Sequence, residues 1–399
     1  MSSVELVEYG TSDDLAVARS TVETIAALAG DRLRVGLGTR PGTWRLTATQ
    51  HVGTVVTPEL QVLIRPKVPF ENLFVLLGAG LDTIVWGEDR FAYEHRPDLL
   101  AVVAVFYARA VDAAIGAGLV RSYRAQEERL VSVRGRIDLA AVIRRPGPVL
   151  PVPCRFDEYT ADIVENRVLK AGLRRLLRVP GVPAGVRRQL TMLRAAFEDV
   201  ADVVATPAMA DSIRYSRLNA HYRPAVRLAR LVLDDATLSD GAGRAEASAF
   251  LVDMNGLFER FLTERLAGAL AGRVEVVGQY TKAYLDIERR SPIRPDLVFV
   301  RDATVVGVAD VKYKLADDGV ARRADQYQLL AYTTALDLPE GTLIYAQTTG
   351  AAPERSVTVR HAGKILRAYP VDLTGPPAAI DTAVAALSEI LVPRVVLTG

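Results

Sequence analysis

Two acids and a lysine in one apolar stretch carry the chemistry this chain could do. From Ile293 to Lys314 the sequence reads IRPDLVFVRDATVVGVADVKYK. Asp296 follows a proline at the head of one β-branched and aromatic run, and Asp310 and Lys312 close a second; the polar Arg301-Asp302-Ala303-Thr304 lies between them. That pattern predicts a β-hairpin with its turn at 301–304 and its second strand over Val305–Tyr313. Strand side chains alternate faces, so Asp310 and Lys312 share one side and Val311 takes the other. The spacing brings Asp296 near Asp310 across the ladder. Two hard oxygen ligands at a strand edge suit one or two magnesium ions, with water and phosphate oxygens completing the shell. An ammonium beside them steadies an attacking hydroxide or the charged phosphorus. The chemistry is phosphodiester hydrolysis. The plainer alternative is an Asp310–Lys312 ion pair with Asp296 as a turn residue, since structural pairs imitate sites. Against it, charges in strands this apolar need a reason, and lysine is scarce, standing only at 67, 170, 282, 312, 314 and 364.

Those residues need elements to position them. A helix is predicted over Ala247–Leu270, with Phe250, Leu251, Met254, Leu257, Phe258, Phe261 and Leu262 on its buried face. Glu259 lies beside that face and can reach a metal. A strand, Val274–Tyr280, precedes the hairpin. A helix over Ala321–Leu336 follows it, carrying Gln328 and Tyr332 at i and i+4 on one face. Thr342–Ala346, Ser356–Arg360 and a helix over Pro377–Leu391 complete an α/β domain.

At 399 residues, half of them apolar, the chain is long enough for two or three domains with cores. A net charge of +2 permits nucleic acid without requiring it, and the excess of Arg over Lys favours forked contacts to phosphate or carboxylate. The single cysteine, Cys154, excludes an internal disulfide or a cysteine-rich zinc site, fits a reducing cytoplasm, and is expected to be a small buried hydrophobe. The start, MSSVELVEYG, lacks a basic-then-apolar signal, and the longest apolar stretch, Leu99–Ala108, is far short of a membrane span. Gly36–Gly42 lacks the Gly-Lys-Ser/Thr ending of a phosphate loop and is taken as a turn; no other stretch carries that loop.

The expected fold class is a multidomain α/β (α+β) chain. Residues 1–95 form a β-rich module: a strand Val4–Tyr9, a helix capped by Ser12 or Asp13 and running to Leu28, a strand Leu33–Leu37, then a meander of Trp44–Thr49, His51–Thr57 and Leu60–Pro66. Residues 96–240 form a helical middle region with a basic β-hairpin at about 120–145. Helices are predicted at Phe70–Leu81, Pro97–Leu119, Val186–Val200 and Pro224–Asp234. Another starts at Thr160 as N-cap, with Asp162 in its first turn. Arginines 121, 124, 129, 134, 136, 144 and 145 could line a nucleic-acid or protein groove, or a solvated ribbon neutralised by Glu127, Glu128 and Asp138. Asp157, Glu158, Asp162 and Glu165 are read as structural acids ahead of a second metal site. Leu238–Ala245 is expected to be a flexible linker, and 241–399 the α/β domain with the paired acids.

The order of these motifs carries a resemblance. Ala247–Gln347 closely resembles the PD-(D/E)xK nuclease superfamily, with Pro295-Asp296 as the PD element and Asp310-Val311-Lys312 as D-x-K. Gln328-Leu329-Leu330-Ala331-Tyr332 looks like the Q-x-x-x-Y helix motif of its RecB-like branch. The resemblance implies that Asp296 and Asp310 bind magnesium and that Lys312 assists the water and the charged phosphate. It further implies that Glu259 adds a ligand from its helix, and that Gln328 and Tyr332 orient the site or DNA. Over about residues 60–347 the chain resembles the McrC family, nuclease subunits of McrBC-type (type IV) 5-methylcytosine-dependent restriction systems. Leu63-Ile64-Arg65-Pro66-Lys67, Val133-Arg134-Gly135-Arg136-Ile137, Cys154–Thr160 with Glu165-Asn166-Arg167, and Met254–Glu259 carry that likeness. It implies an N-terminal module that engages a hexameric AAA+ GTPase, which reads modified cytosine while this chain cuts double-stranded DNA, as a homodimer where both strands are cut. Arg134 and Arg136 would be partner or DNA contacts. The missing phosphate loop agrees with a motor supplied in trans. Two other readings compete: a degenerate nuclease fold acting as an adaptor for an AAA+ NTPase, and a standalone repair nuclease.

Overall fold

The computed structural model describes residues 2–77, 99–144, 150–240, 245–313, 323–347 and 355–392. The chain opens with β1 (Ser2–Val7), α1 (Arg19–Ala29), β2 (Leu33–Leu37), β3 (Trp44–Ala48), β4 (His51–Val56) and β5 (Leu60–Arg65). Helix α1 begins later than its predicted caps. Leu15 instead exchanges backbone hydrogen bonds with Trp44, Ser12 N donates to Leu46 O while Ser12 Oγ accepts from Leu46 N, and the Asp14 carboxylate accepts from Thr39 N at 3.0 Å and Arg40 N at 3.0 Å. Of Gly36–Gly42, taken as a turn, Gly36 and Leu37 end β2 and residues 38–42 lie in the β2–β3 connection. The three-strand meander does not form, because β3 pairs with β2 in a sheet of its own while β4 and β5 join another.

The middle of the chain supplies α2 (Phe70–Leu76), α3 (Leu99–Ile115), β6 (Ser122–Leu130), β7 (Arg136–Ile137), α4 (Leu139–Arg144), β8 (Val152–Thr160), α5 (Val164–Arg178), α6 (Ala184–Ala195), α7 (Pro207–Asp211) and α8 (Arg223–Asp235). Helix α3 is apolar almost all round and buries Val103, Tyr107 and Val111 completely, with Tyr107 Oη donating to Leu169 O at 2.6 Å. The predicted hairpin within 120–145 is replaced by a three-stranded arm ordered β6-β8-β7, so the partner of 122–130 lies at 152–160. Thr160 therefore ends a strand. Residue 145, placed at the hairpin's close, lies outside the described residues.

Then come β9 (Ala236–Asp240), β10 (Ala245–Asp253), α9 (Met254–Ala269), β11 (Glu275–Gly278), β12 (Ala283–Tyr284), β13 (Pro292–Ile293), β14 (Leu297–Arg301), β15 (Thr304–Lys312), α10 (Arg323–Ala335), β16 (Glu340–Gln347), β17 (Arg355–Thr358), β18 (Ile365–Asp372) and α11 (Pro377–Leu391). Residues 247–253, expected as the first turns of a helix, belong to a strand, and the helix starts at Met254 with Asp253 accepting from Asn255 N at 3.0 Å. Pairing decides this over local preference. Strand β10 lies between β4 and β9 in a sheet ordered β1-β5-β4-β10-β9. Gly53 of β4 makes the approach feasible: its φ is +138°, and a Cβ there would come within 2.0 Å of Phe250 O. Of the expected linker Leu238–Ala245, residues 238–240 end β9 and Ala245 begins β10, which pair antiparallel, while 241–244 lie outside the described residues. The expected division at 240/241 cuts through this sheet, because β9 and β10 complete a layer begun by β1.

The second large sheet runs β11-β14-β15-β16-β18-β17, with β14–β15 an antiparallel hairpin and β15, β16 and β18 parallel. Asp302 and Ala303 have φ of 48° and 61°, as a two-residue hairpin turn demands. Leu297, Phe299, Ala309 and Val311 pack with Phe258, Phe261 and Leu387 of α9 and α11. Val298, Val308, Leu343 and Tyr345 pack with Leu329 and Tyr332 of α10. A three-layer α/β/α sandwich results, and β15 is sealed on both faces.

Candidate active site

The β14–β15 ladder pairs Leu297 with Ala309, which sets Asp296 and Asp310 at the same level. Asp310 has no solvent exposure, and no hydrogen bond of good geometry reaches either carboxylate oxygen. The Lys312 ammonium stands 2.6 Å from its Oδ2 as an ion pair. Asp296 Oδ2 accepts from Val311 N at 2.9 Å, and its Oδ1 accepts from the Gln279 amide at 3.2 Å. That same amide nitrogen donates to Glu259 Oε1 on α9. Gln328 Nε2 donates to Tyr332 Oη at 2.6 Å, and Tyr332 Oη donates to Arg294 O at 3.1 Å. The helix motif thus grips the backbone just ahead of Pro295-Asp296.

Electrostatics follow from burial. Asp310 is pushed up to about 7, first by burial and then by the neighbouring Asp296 charge, with Lys312 opposing. Glu259 is also raised, by burial first; the Gln279 hydrogen bond opposes this and the Asp296 charge adds to it. Burial pulls Lys312 down, but the Asp310 carboxylate outweighs it and the ammonium is held more firmly than usual.

A carboxylate left without hydrogen bonds in a dry strand, next to a second one, is the donor set a hard cation would complete. Asp296 and Asp310 fit magnesium on that ground. Glu259 is joined to them through Gln279, and among the described residues no group of three or more His, Cys, Asp or Glu side chains is close enough to hold a metal. Gln279 is the member sequence reading missed. Its one signal is position, one residue past the end of β11, where φ of 49° turns the backbone and Gln279 N donates to Asp296 O at 2.8 Å. Asp325 of α10, buried and accepting from Tyr345 Oη at 3.2 Å, was also missed; its negative charge adds to the field on Lys312.

Arg134 and Arg136 belong to the three-stranded arm rather than to this sheet. Arg134 stacks over the Phe156 ring at 4.3 Å and lies 3.8 Å from Glu158 Oε1, while Arg136 pairs with Arg155 across the ladder. Gly135 between them has φ of 70°, and a Cβ would meet Arg155 O at 2.3 Å. Of the four clustered acids, Asp162 and Glu165 are tied to neighbouring side chains. Asp162 binds Arg124 at 2.5 Å and Arg167 at 2.7 Å, and Glu165 accepts from Asn219 at 2.9 Å. Cys154 is buried, as expected.

Fold and site together define a class: a mixed α/β protein of several sheets whose central hairpin buries two acids beside a lysine. The chain belongs to the family described as McrBC 5-methylcytosine restriction system component, whose model matches residues 46–346. Among solved structures, one chain of the refined half-complex from the tetradecameric assembly of Thermococcus gammatolerans McrB AAA+ hexamers with bound McrC is 20% identical, with a TM-score of 0.55, covering 98% of this chain and 100% of that one. A chain of the cryo-EM Thermococcus gammatolerans McrBC complex is also 20% identical, with a TM-score of 0.42, over 68% of this chain and 88% of that one. The first likeness extends the shared fold beyond the family match to nearly the whole chain. No curated protein matches the sequence. No helix among the described residues is long and apolar enough to cross a membrane.

Proposed function

We propose that this chain is the DNA-cutting subunit of a modification-dependent restriction system, hydrolysing phosphodiester bonds at the Asp296–Asp310–Lys312 cluster of a PD-(D/E)xK-like domain. The observation that carries it is the fully buried Asp310 carboxylate, flanked by Asp296 and ion-paired with Lys312, in a chain of the McrBC family. Asp296 and Asp310 would hold magnesium, with Glu259 tuning the pair through Gln279. Magnesium bound there supplies a Lewis acid that polarises water and the phosphate. Lys312 offsets negative charge that grows on the phosphorus oxygens in the transition state. Tyr332 and Gln328 fix the loop before Asp296 and so keep the acid in register. The hairpin is sealed by helices on both faces, which raises the worth of each charge.

Two further parts of the proposal rest on relatives. The Thermococcus gammatolerans assembly holds McrC on McrB AAA+ hexamers. This chain carries no phosphate loop, so an AAA+ GTPase hexamer is the motor it would need, with double-stranded DNA bearing modified cytosine as substrate, in the cytoplasm. The experiment is magnesium-dependent cleavage of methylated against unmethylated plasmid by this chain with its AAA+ partner and nucleotide, with Asp310→Ala as control. Cleavage that needs methylation, partner and Asp310 together is the expected result. Faster nucleotide hydrolysis by the partner without cleavage would make the chain an adaptor; cleavage without partner or methylation would make it a repair nuclease.

A further inference from the structure

The catalytic strand ends against the N-terminal module, and the contact is a buried carboxylate. Glu8, the residue after β1, is 1% exposed. Its Oε1 accepts from Lys67 N at 2.6 Å and from Tyr313 Oη at 3.1 Å, while Oε2 has no hydrogen-bond partner among the described residues. Tyr313 directly follows Lys312. Its ring is fully buried and meets Phe258 edge-on at 6.1 Å, and Phe258 directly precedes Glu259 on α9. One carboxylate therefore touches the residue beside the candidate catalytic lysine, and that residue touches the neighbour of the helical glutamate.

The construction around Glu8 is rigid. Strands β1 and β5 run parallel, Val7 opposite Arg65, and Glu8 N donates to Arg65 O at 3.0 Å. Lys67 ends the Leu63–Lys67 motif at the same edge, so the chain leaving β5 holds Glu8 through Lys67 N, and Glu8 in turn accepts from Tyr313. Asn72 of α2 adds a second tie between the two halves, donating to Leu373 O at 2.6 Å and Gly375 O at 2.8 Å. A buried carboxylate with one oxygen unsatisfied is costly as mere packing, since a residue of like shape without the charge would avoid the penalty.

We propose that Glu8 is a positioning residue of the candidate nuclease centre: through Tyr313 it holds the end of β15, and with it Lys312, so the N-terminal module forms part of the cutting machinery. The alternation of β15 explains the leverage. Val311 and Tyr313 point to the α9 face while Asp310 and Lys312 point to the α10 face, so anchoring Tyr313 fixes the backbone from which Lys312 projects. A partner that grips the N-terminal module thereby acts on the strand carrying the lysine.

This inference rests on the nuclease reading, and its test separates the two. Glu8→Ala, Glu8→Gln and Tyr313→Phe would be made in the full chain, with Asp310→Ala as control. Cleavage kcat and KM would be measured with the AAA+ partner, and amide hydrogen exchange over 309–313 on the chain alone. Tyr313→Phe removes one hydroxyl and keeps the ring packed on Phe258, so it preserves the fold if Glu8→Ala does not. Glu8→Gln keeps an acceptor at Oε1. The expected result is that Glu8→Ala and Tyr313→Phe each lower kcat by roughly tenfold with KM nearly unchanged and speed exchange at the end of β15, while Glu8→Gln restores both. Parent-like kcat in Tyr313→Phe and Glu8→Ala, with Asp310→Ala dead, would overturn the role of Glu8 and leave the nuclease standing. Cleavage that survives Asp310→Ala would overturn the site itself, and the positioning role with it.

Discussion

Asp296 is tied to the opposite arm of its own hairpin, its Oδ2 accepting from the Val311 N–H at 2.9 Å. Val311 stands between Asp310 and Lys312, so this bond sets all three charged groups in one frame. A carboxylate at the head of a strand would otherwise rotate about two side-chain torsions. The Gln279 amide holds the other oxygen at 3.2 Å and removes the remaining freedom. The arrangement is preorganised before substrate arrives.

On the proposed assignment, magnesium would compete with a proton for Asp310, which burial and Asp296 push up to about 7. The magnesium concentration giving half-maximal cleavage should therefore rise as pH falls from about 8 to about 6. A concentration that stays constant across that range would show that Asp310 is not the metal's ligand.

The same residue should make stability depend on pH when metal is chelated. Its folded pKa lies above the ordinary 3.8, so its contribution is present below that value and is lost as pH rises through about 7. Asp310→Asn should consequently gain Tm over the parent between about pH 5 and pH 8 in EDTA, because the amide carries no charge to bury. Equal Tm at both ends would contradict the burial argument.

Lys312→Ala removes the ammonium 2.6 Å from Asp310. Loss of a charge aimed at the transition state should cost about 10²–10³ in kcat. Manganese binding, followed by electron paramagnetic resonance, should persist because both carboxylates remain. A variant that cuts at the parental rate would reassign the lysine to a structural ion pair.

Gln279→Ala frees Glu259 and Asp296 at one stroke, since one amide nitrogen serves both. Metal affinity should weaken by roughly 10–100-fold with little change in Tm, as for other groups that orient a metal's ligands. Calorimetric titration with manganese measures it directly. An unchanged affinity would mean the carboxylates hold their positions unaided.

Asn166 is fully buried on α5 and its amide donates to Val120 O at 2.8 Å and Ala161 O at 2.7 Å. Asn166→Ala takes this donor from Val120 O, while Ala161 O keeps Ile163 N at 2.8 Å, and should destabilise the fold by about 1–3 kcal/mol. The urea midpoint should fall while cleavage per folded molecule stays constant. Lost cleavage at full stability would move Asn166 from scaffold to site.

Local pattern carried much of the candidate-site hairpin. The proline before Asp296, the polar 301–304 turn and the alternation through Lys312 are short-range signals, and β14 and β15 formed where those signals placed them. The i, i+4 relation of Gln328 and Tyr332 is likewise a property of any helix, and it yields their hydrogen bond. Helices α3, α8 and α11 were legible because their apolar faces repeat within one element.

What lay beyond the sequence was pairing across distance. Residues 245–253 have helix-compatible composition, yet become a strand because β4 offers an open edge and Gly53 lets Phe250 approach. Strand β8 was missed for a similar reason, its partner β6 being separated from it along the chain by β7 and α4. Gln279 and Glu8 carry no motif; each matters through a neighbour that the fold alone brings near. The sequence by itself determined that Asp296, Asp310 and Lys312 would lie together on one hairpin, because residue type and alternation are local. Tertiary structure decided that Glu259 reaches the acids through Gln279, and that the first strand of the chain abuts the last residues of the catalytic one. Contacts between distant segments depend on how whole sheets and helices bury their apolar faces together.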